Sequence, residues 1–271
     1  MTNKAIRKKA WKLFTENYGA MLPIMAVVSA ISLVPALASA LWGGGAAAKT
    51  IISALASSLI APVSVCGVAS FALGILDGEA PRMEQLFIHL RDCRRLFKIW
   101  TAALVVSVYS LAFSAVSKLV ENAAAGEPSN TGAVLLLVAL LAASIVGIWL
   151  STRMALYGYA VARAPQDIAL HWLGTSWRAM KRHVRRMLRL EFSVFWPLFI
   201  PLPFVQMIFR RMGESGMLSP AMVTFLPSLV NSAIFVFYTG YVNLSMAAFA
   251  DDRLNEADYS LPAIVPTPKE G

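Results

Sequence analysis

Charged residues are scarce in this sequence. They make up 14% of its 271 residues, whereas about 25% of the residues in soluble domains are charged. So few charges cover a water-facing surface poorly, and 58% of the residues are hydrophobic. The composition disfavours a water-soluble domain and indicates a membrane protein.

Cysteine and histidine are also rare, with two and three copies. Cys66 lies in an apolar run and Cys93 in a basic stretch, so we expect two free thiols rather than a disulfide framework. His89 is four residues before Cys93, but a structural zinc site usually needs four ligands. No glycine-rich phosphate loop, nucleophile elbow or HExxH motif is present. The sequence therefore predicts no metal, no cofactor and no enzyme active site.

Strand patterns are missing as well, because no segment alternates polar and apolar residues with a period of two. Six apolar runs instead have the length of about 20 residues that a helix needs to cross a bilayer. The sequence predicts an all-α, polytopic membrane helical bundle in one membrane domain, residues 1–250, followed by a polar, frayed cytoplasmic tail, residues 251–271. An amphipathic helix is predicted over residues 3–17, and spans are predicted over residues 19–41, 51–76, 99–120, 133–157, 187–209 and 221–250.

The basic residues fall on one side of this six-span arrangement. With the N-terminus inside, 20 of the 24 lysine and arginine residues lie on the inner side, which predicts that both termini are cytoplasmic. The net charge of +9 accompanies apolar runs rather than a separate hydrophilic module. It therefore predicts anionic membrane lipids, not nucleic acid, as partners. Protein partners are not identified by the sequence.

Two basic segments have an amphipathic pattern. In the first basic segment, residues 82–98, apolar residues recur at helical spacing beside a basic face. In the second basic segment, residues 178–189, the basic residues form a single stripe of one predicted helix. Such helices either fix topology while their side chains snorkel, or bind lipid headgroups or anions, with about 1 kcal/mol per basic residue at an anionic leaflet. The candidate binding residues are Arg94, Arg95, Lys98, Arg178, Lys181, Arg182, Arg185, Arg186 and Arg189.

The two basic segments and the residues before them also match one another at a constant offset. This pattern predicts either a parallel internal repeat or a chance match. The matching pairs include Gly74 and Gly158, Pro81 and Pro165, and Arg94 and Arg178.

Polar residues at membrane depth are candidates for function because they are costly there. Arg153 is predicted near the inner end of the fourth span, and Glu191 about one turn inside the fifth. Glu191 is interpreted either as a structural ion pair with Arg153 or Arg189, or as part of a functional site. Asn231 and Asn243 on the last span either hydrogen-bond between helices or line a cavity.

Three prolines, Pro197, Pro201 and Pro203, predict a kink or break in the fifth span, because each removes a donor and collides with the preceding turn. Broken helices expose carbonyl groups to substrates in some transporters, although kinked spans also occur in proteins that transport nothing. Two hypotheses follow. The first is a non-enzymatic protein that binds anionic lipid or a partner through its basic helices. The alternative is a small transporter or export component with a site at the broken span.

Several segments resemble domain of unknown function 975, a group of small bacterial integral membrane proteins. The resemblance extends over nearly the whole chain, although the family's usual Pro-Tyr near the last span reads Gly240-Tyr241 here. It implies a multi-pass protein of the bacterial cytoplasmic (inner) membrane, and it supplies no activity and no catalytic residues. The segments that carry it are Arg7–Tyr18, Gly67–Glu79, Met154–Pro165, Ser176–His183, Leu190–Trp196 and Gly240–Phe249.

Overall fold

A computed structural model describes residues 1–41, 46–107, 130–199, 201–217 and 220–259. Within these ranges the chain forms helices and turns and no β-strand, so the all-α prediction is confirmed for them. The elements are α1 (Asn3–Leu41), α2 (Ala46–Leu76), a 3₁₀ helix (Met83–Arg91), α3 (residues 93–107), α4 (Asn130–Met154), α5 (Tyr157–Arg163), α6 (Ala169–Ala179), α7 (Val184–Phe199), α8 (Pro201–Glu214) and α9 (Pro220–Tyr259).

Two helical stretches are long and apolar enough to cross a membrane. Ala54–Leu76 in α2 has a mean hydropathy of 2.2, and Ser144–Arg163, across α4 and α5, has a mean hydropathy of 1.2. This assignment concerns length and composition within the described residues. The six-span arrangement stays a prediction, and of the predicted third span, residues 108–120 lie outside the described part.

The N-terminal amphipathic helix and the first predicted span form one 39-residue helix, α1. Ile6, Ala10, Phe14 and Met21 are buried along one face, at the three- and four-residue spacing of a single helix stripe. This face packs against α9 and α2. At Gly240 in α9, a Cβ atom would lie 3.0 Å from the Phe14 ring and 3.1 Å from Met21, so a small residue permits the close contact between α1 and α9.

The first basic segment is not the single amphipathic helix that its pattern predicts. A 3₁₀ helix ends at Arg91, and α3 begins at residue 93. The Asp92 carboxylate accepts hydrogen bonds from the backbone N–H groups of Arg94 (2.9 Å) and Arg95 (3.3 Å). Because an aspartate in this position satisfies N–H groups of the next helix that lack intrahelical partners, it starts a new helix inside the predicted one.

The second basic segment is broken too. α6 ends at Ala179, and turn residues 180–183 separate it from α7, which begins at Val184. The predicted division between apolar and basic sides is nevertheless kept, since Leu173 and Met180 of the apolar side are buried and most of the basic residues are exposed. The charge pattern therefore indicates which residues are exposed. It does not show that these residues belong to two helices rather than one.

At the proline-rich stretch, α7 ends at Phe199 and α8 begins at Pro201, while Pro197 lies inside α7. Pro197 and Pro203 are exposed, and the side chain of Pro201 lies outside the described part. Ile200, which separates these two stretches, lies outside the described part, so the predicted kink or break in the fifth span, residues 187–209, stays a prediction.

The last helix is longer than the predicted span. α9 has 40 residues and continues to Tyr259, so the prediction of a frayed tail from residue 251 is wrong up to that point. Residues 260–271 lie outside the described part. The extension is held by ion pairs of Asp251 and Asp252 with Arg163 and Arg186, which the sequence does not reveal.

Candidate anion-binding site

The basic residues of the second segment differ in exposure. Five of the six are exposed, whereas Arg186 is half-buried. Among the described residues, Arg178, Lys181 and Arg182 have no carboxylate partner within ion-pair distance, and Arg178 donates a 3.4 Å hydrogen bond to the Thr175 hydroxyl. Arg178 lies in the last turn of α6, and Lys181 and Arg182 lie in the turn that follows it. All three line the same cavity. The exposed residues are Arg178, Lys181, Arg182, Arg185 and Arg189.

A cavity of about 340 Å³ opens beside this turn. Its volume is within the roughly 300–1,000 Å³ of small-molecule pockets. Four cationic side chains and one carboxylate line it, so the cavity has a net positive charge and attracts anions. The lining residues are Arg178, Ala179, Lys181, Arg182, His183, Arg253 and Glu256.

Arg253 is the buried cation of this cavity, with 7% of its side chain exposed. It donates hydrogen bonds to Glu256 and to Asp252, the latter at 2.5 Å, while its Nε is buried without a partner. Its Nη1 also lies 3.1 Å from the His183 Nε2. Because a guanidinium only donates, that nitrogen accepts, so His183 is neutral. Burial and then the charge of Arg253 lower the pKa of His183, in agreement with this assignment.

Asp252 connects this cavity with the start of the chain. It accepts from Arg253 and from the amino group of Met1, which lies 2.9 Å away. Burial opposes ionisation of Asp252, but these hydrogen bonds and charges together lower its pKa. The Asp252 carboxylate is therefore a fixed anion that neutralises Arg253 from the side away from Glu256.

Arg186 does not line the cavity. Its Nε donates to the Asn3 side chain at 3.0 Å, its Nη2 lies 3.5 Å from Asp252, and its guanidinium lies over Phe249. Asn3 in turn donates to the Arg186 carbonyl oxygen at 3.0 Å. These contacts join α1, α7 and α9, so we assign Arg186 to structure rather than to the site.

Two of the three candidate residues of the first basic segment, Lys98 and Arg95, lie against other parts of the protein. The Lys98 ammonium donates to the carbonyl oxygens of Gln166 (2.9 Å) and Asp167 (3.0 Å). Arg95 is half-buried and lines a separate polar cavity of about 210 Å³, in which its Nε has no partner. Only Arg94 is exposed. The structure does not bring these residues to the cavity beside α6.

That smaller cavity also contains His89, of which 1% is exposed. Its Nε2 lies 2.8 Å from the Ser70 hydroxyl. Burial and then the charge of Arg95 lower the pKa of His89 to about 4. His89 is therefore neutral near pH 7 and fixes the 3₁₀ helix to α2.

Arg153 does not form the predicted ion pair with Glu191. Its guanidinium lies 4.7 Å from the ring centres of both Trp149 and Trp177, and it donates to the carbonyl oxygens of Trp177 and Lys181 at 3.3 and 3.4 Å. Cation–π contacts and the carbonyl end of α6 thus take the place of a carboxylate. Arg153 fixes the turn that carries the cavity.

Glu191 and Asn243 do not meet. Glu191 lines an open, mainly apolar cavity with Arg189 and Phe192, and within the described residues no basic group lies at ion-pair distance from it. Asn243 is half-buried, with its amide 3.8 Å from the sulfur of Met25 in α1. The side chain of Asn231 lies outside the described part.

Three residues that the sequence analysis did not select as candidates make ion pairs at the cytoplasmic ends of the predicted spans or beside the cavity. They are Arg163, Arg253 and Glu256. Arg163 donates twice to Asp77, at 2.6 and 2.9 Å, and once to Asp251, at 2.6 Å. Arg253 and Glu256 were overlooked because the segment after residue 250 was interpreted as a frayed tail. The i, i+3 spacing of Arg253 and Glu256, typical of helical ion pairs, was the available signal for a continued helix. We call Arg163, Asp77 and Asp251 the Arg163 cluster.

In the described ranges, no three His, Cys, Asp or Glu side chains are grouped to hold a metal ion. Both cysteines are free. No known protein family, curated protein or solved structure matches the chain. The resemblance to domain of unknown function 975 therefore stays a prediction.

Proposed function

We propose that this chain is a multi-pass protein of the bacterial inner membrane that binds anionic phospholipid headgroups, without catalysis, in the cavity beside α6. The proposal includes six spans, cytoplasmic termini and membership in the family of domain of unknown function 975. The observation that carries it is the cluster of Arg178, Lys181 and Arg182, without carboxylate partners, around a cavity that also contains Arg253.

Exposed apolar side chains support a lipid environment. Ile51 and Leu55 in α2, Leu104 in α3 and Ile145 in α4 are each 60% exposed or more. Large exposed apolar areas in a soluble monomer are rare and indicate contact with a membrane or another protein. Because these residues lie on three different helices, and two stretches have spanning length, hydrocarbon contact accounts for them.

Contacts among the predicted inner segments support the topology. The Arg163 cluster joins residues that follow the second, fourth and sixth predicted spans. Asn3 and Asp252, near the two ends of the described chain, both contact Arg186. A chain with these segments on opposite sides of a bilayer could not form such contacts, so they favour an even number of spans.

The position of the cavity supports a headgroup ligand. It lies at the junction of α6 and α7 and the cytoplasmic extension of α9, where the proposed spans meet the aqueous phase. Basic pockets at this level bind anionic lipid headgroups in membrane proteins. Unpaired cations there gain most from a ligand that brings its own negative charge.

The alternative, a transporter or export component with a site at the broken fifth span, has no comparable support. In the described part, the cavity beside Glu191 is lined by Ile148, Leu188 and phenylalanine side chains as well as Arg189. Asn243 contacts a different helix. These polar residues do not converge on a mid-depth path.

The test compares two triple variants purified in mild detergent. In the cavity variant, Arg178, Lys181 and Arg182 are replaced by glutamine. In the control variant, Lys4, Lys8 and Lys9, which are exposed and do not line the cavity, are replaced by glutamine. Both lose three charges. Mass spectrometry measures the phosphatidylglycerol and cardiolipin that remain bound.

We expect the cavity variant to lose at least about tenfold in lipid affinity, since each basic residue near anionic headgroups contributes about 1 kcal/mol. The control variant should retain the lipid. Equal retention by both variants would show that the cavity is not a lipid site and would refute the proposal.

A further inference from the structure

The charge of the cavity exceeds that of one ordinary anionic headgroup. Glu256 neutralises Arg253 on one side and Asp252 does so on the other. Three cations, Arg178, Lys181 and Arg182, remain without a carboxylate partner among the described residues. A phosphodiester headgroup such as phosphatidylglycerol has one negative charge, whereas a phosphate monoester carries about −1.5 to −2 near pH 7.

We propose that the cavity selects a terminal phosphate monoester, as in the headgroup of phosphatidic acid, over a phosphodiester. This inference rests on the proposed function, because it assigns a class to the lipid bound there.

The donor set fits such a ligand. A monoester offers three terminal oxygen atoms, each a strong acceptor, while a diester offers two. Two of the three free cations are arginines, whose planar guanidinium groups donate to two phosphate oxygens at once, and the third is a lysine that acts as a compact charge. The three side chains together can therefore supply at least one donor to each of the three terminal oxygen atoms.

Glu256 adds a competing interaction. Among the described residues it is the one carboxylate that lines the cavity, it accepts from Arg253, and 62% of its side chain is exposed. It can therefore rotate into water at small cost. The buried Arg253 keeps Asp252 as a partner when Glu256 leaves. A dianionic phosphate displaces Glu256 from Arg253 more readily than a monoanion does, because its attraction to the four cations is larger.

Affinities of the full-length protein in detergent test the inference. The probes are short-chain phosphatidic acid, phosphatidylglycerol and phosphatidylcholine, together with soluble glycerol 3-phosphate. We expect phosphatidic acid to bind at least about tenfold more tightly than phosphatidylglycerol, and phosphatidylcholine to bind weakest. The cavity variant (R178Q, K181Q, R182Q) should lose this preference, while the control variant (K4Q, K8Q, K9Q) keeps it.

The Glu256→Gln variant tests the competition. Removing its charge should tighten phosphatidic acid binding by roughly fivefold. Glu84→Gln is the matched control, because Glu84 pairs with Arg91 on the surface and is 77% exposed, and it should leave the affinity unchanged. Thermal unfolding of both variants shows whether α9 remains intact.

The outcomes are distinct. Equal affinities for phosphatidic acid and phosphatidylglycerol overturn the selection and leave the proposed function standing, whereas binding of neither lipid overturns both. If glycerol 3-phosphate binds as tightly as phosphatidic acid, the monoester chemistry is supported and the ligand is a soluble phosphate. If it binds much more weakly, the ligand is a lipid.

Discussion

The two basic segments resemble each other in sequence and differ in what their cations contact. In the first, Lys98 donates to backbone carbonyl oxygens of another loop, and Asp92 caps the helix that carries Arg94 and Arg95. In the second, three of six cations surround a cavity without a carboxylate partner among the described residues. Lys98 and Asp92 of the first segment thus stabilise the fold, while three cations of the second line the cavity of the proposed binding site.

The difference shows that a basic stripe alone does not define a binding site. Lys98 finds acceptors because Gln166 and Asp167 come from a loop that folds against it. Among the described residues, Arg182 has no such hydrogen-bond acceptor, and it lines the cavity instead. A cation that receives acceptors from distant parts of the chain stabilises the fold. A cation without such acceptors is available to the proposed ligand.

The Arg163 cluster joins the beginnings of the two loops that contain these segments, and its loss should have the largest effect. We expect Arg163→Met to lower the free energy of unfolding by about 2–3 kcal/mol, because short charged hydrogen bonds to two carboxylates disappear. Thermal unfolding in detergent measures the change. Arg210→Met is the control, since its pair with Glu214 is exposed on both sides and should contribute under about 0.5 kcal/mol. Equal effects would contradict the special role of the cluster.

Matched substitutions of one cation in each segment test the difference between the two segments directly. Lys98→Met should lower the free energy of unfolding by about 2 kcal/mol, because two carbonyl groups lose a charged donor, and should leave lipid affinity unchanged. Arg182→Met should do the reverse, with a stability change within about 0.5 kcal/mol and weaker lipid binding. Thermal unfolding and lipid retention are measured on both variants. If both lose stability alike, the distinction between the segments is wrong.

The pH dependence of stability tests the first segment through His89. Its pKa is about 4 in the folded protein and about 6.5 in an unfolded chain. Between these values only the unfolded chain binds the proton, so stability falls as the pH is lowered from about 6.5 to about 4, by at most about 1.4 kcal/mol per pH unit. Melting temperatures at about pH 7.5 and about pH 5 should show a smaller difference for His89→Gln than for the unchanged protein. An identical difference would mean that His89 is accessible to protons in the folded state.

The cap at Asp92 should have the smallest effect. Asp92→Ala removes the acceptor for two N–H groups at the start of α3 and should cost about 1 kcal/mol. Asp92→Asn, which keeps an oxygen acceptor, should restore most of it. A melting temperature of the alanine variant equal to that of the asparagine variant would show that the carboxylate does not cap the helix.

The helical class and the exposure of most cations of the second basic segment could be predicted from the sequence, since both follow from composition and local spacing. The break at residues 180–183 could not be predicted, and the break at Asp92 was missed although a signal for it was present. Two consecutive helices in similar orientation give the same spacing of basic residues in the sequence as one continuous helix, so the pattern does not distinguish them. Asp92 carried a usable signal, because aspartate is a preferred helix cap.

The site was predictable in part. Arg178, Lys181 and Arg182 were among the predicted binding residues and line the cavity, whereas Arg186 and Lys98 are held by residues far away in sequence. The length of α9 was missed for the same reason. A segment with several charges is typical of a tail unless distant partners such as Arg163 and Arg186 neutralise it, and one sequence does not show those partners.

The continuation of α9 to Tyr259 has a practical consequence for topology reporters. A reporter joined at residue 250, where the hydrophobic pattern stops, would detach Arg253 and Glu256 from the helix that supports them. Such a fusion would report the compartment but would lack two residues that line the cavity of the proposed binding site. A reporter joined after Tyr259 leaves those residues in place, so that location and binding can be measured on the same molecule.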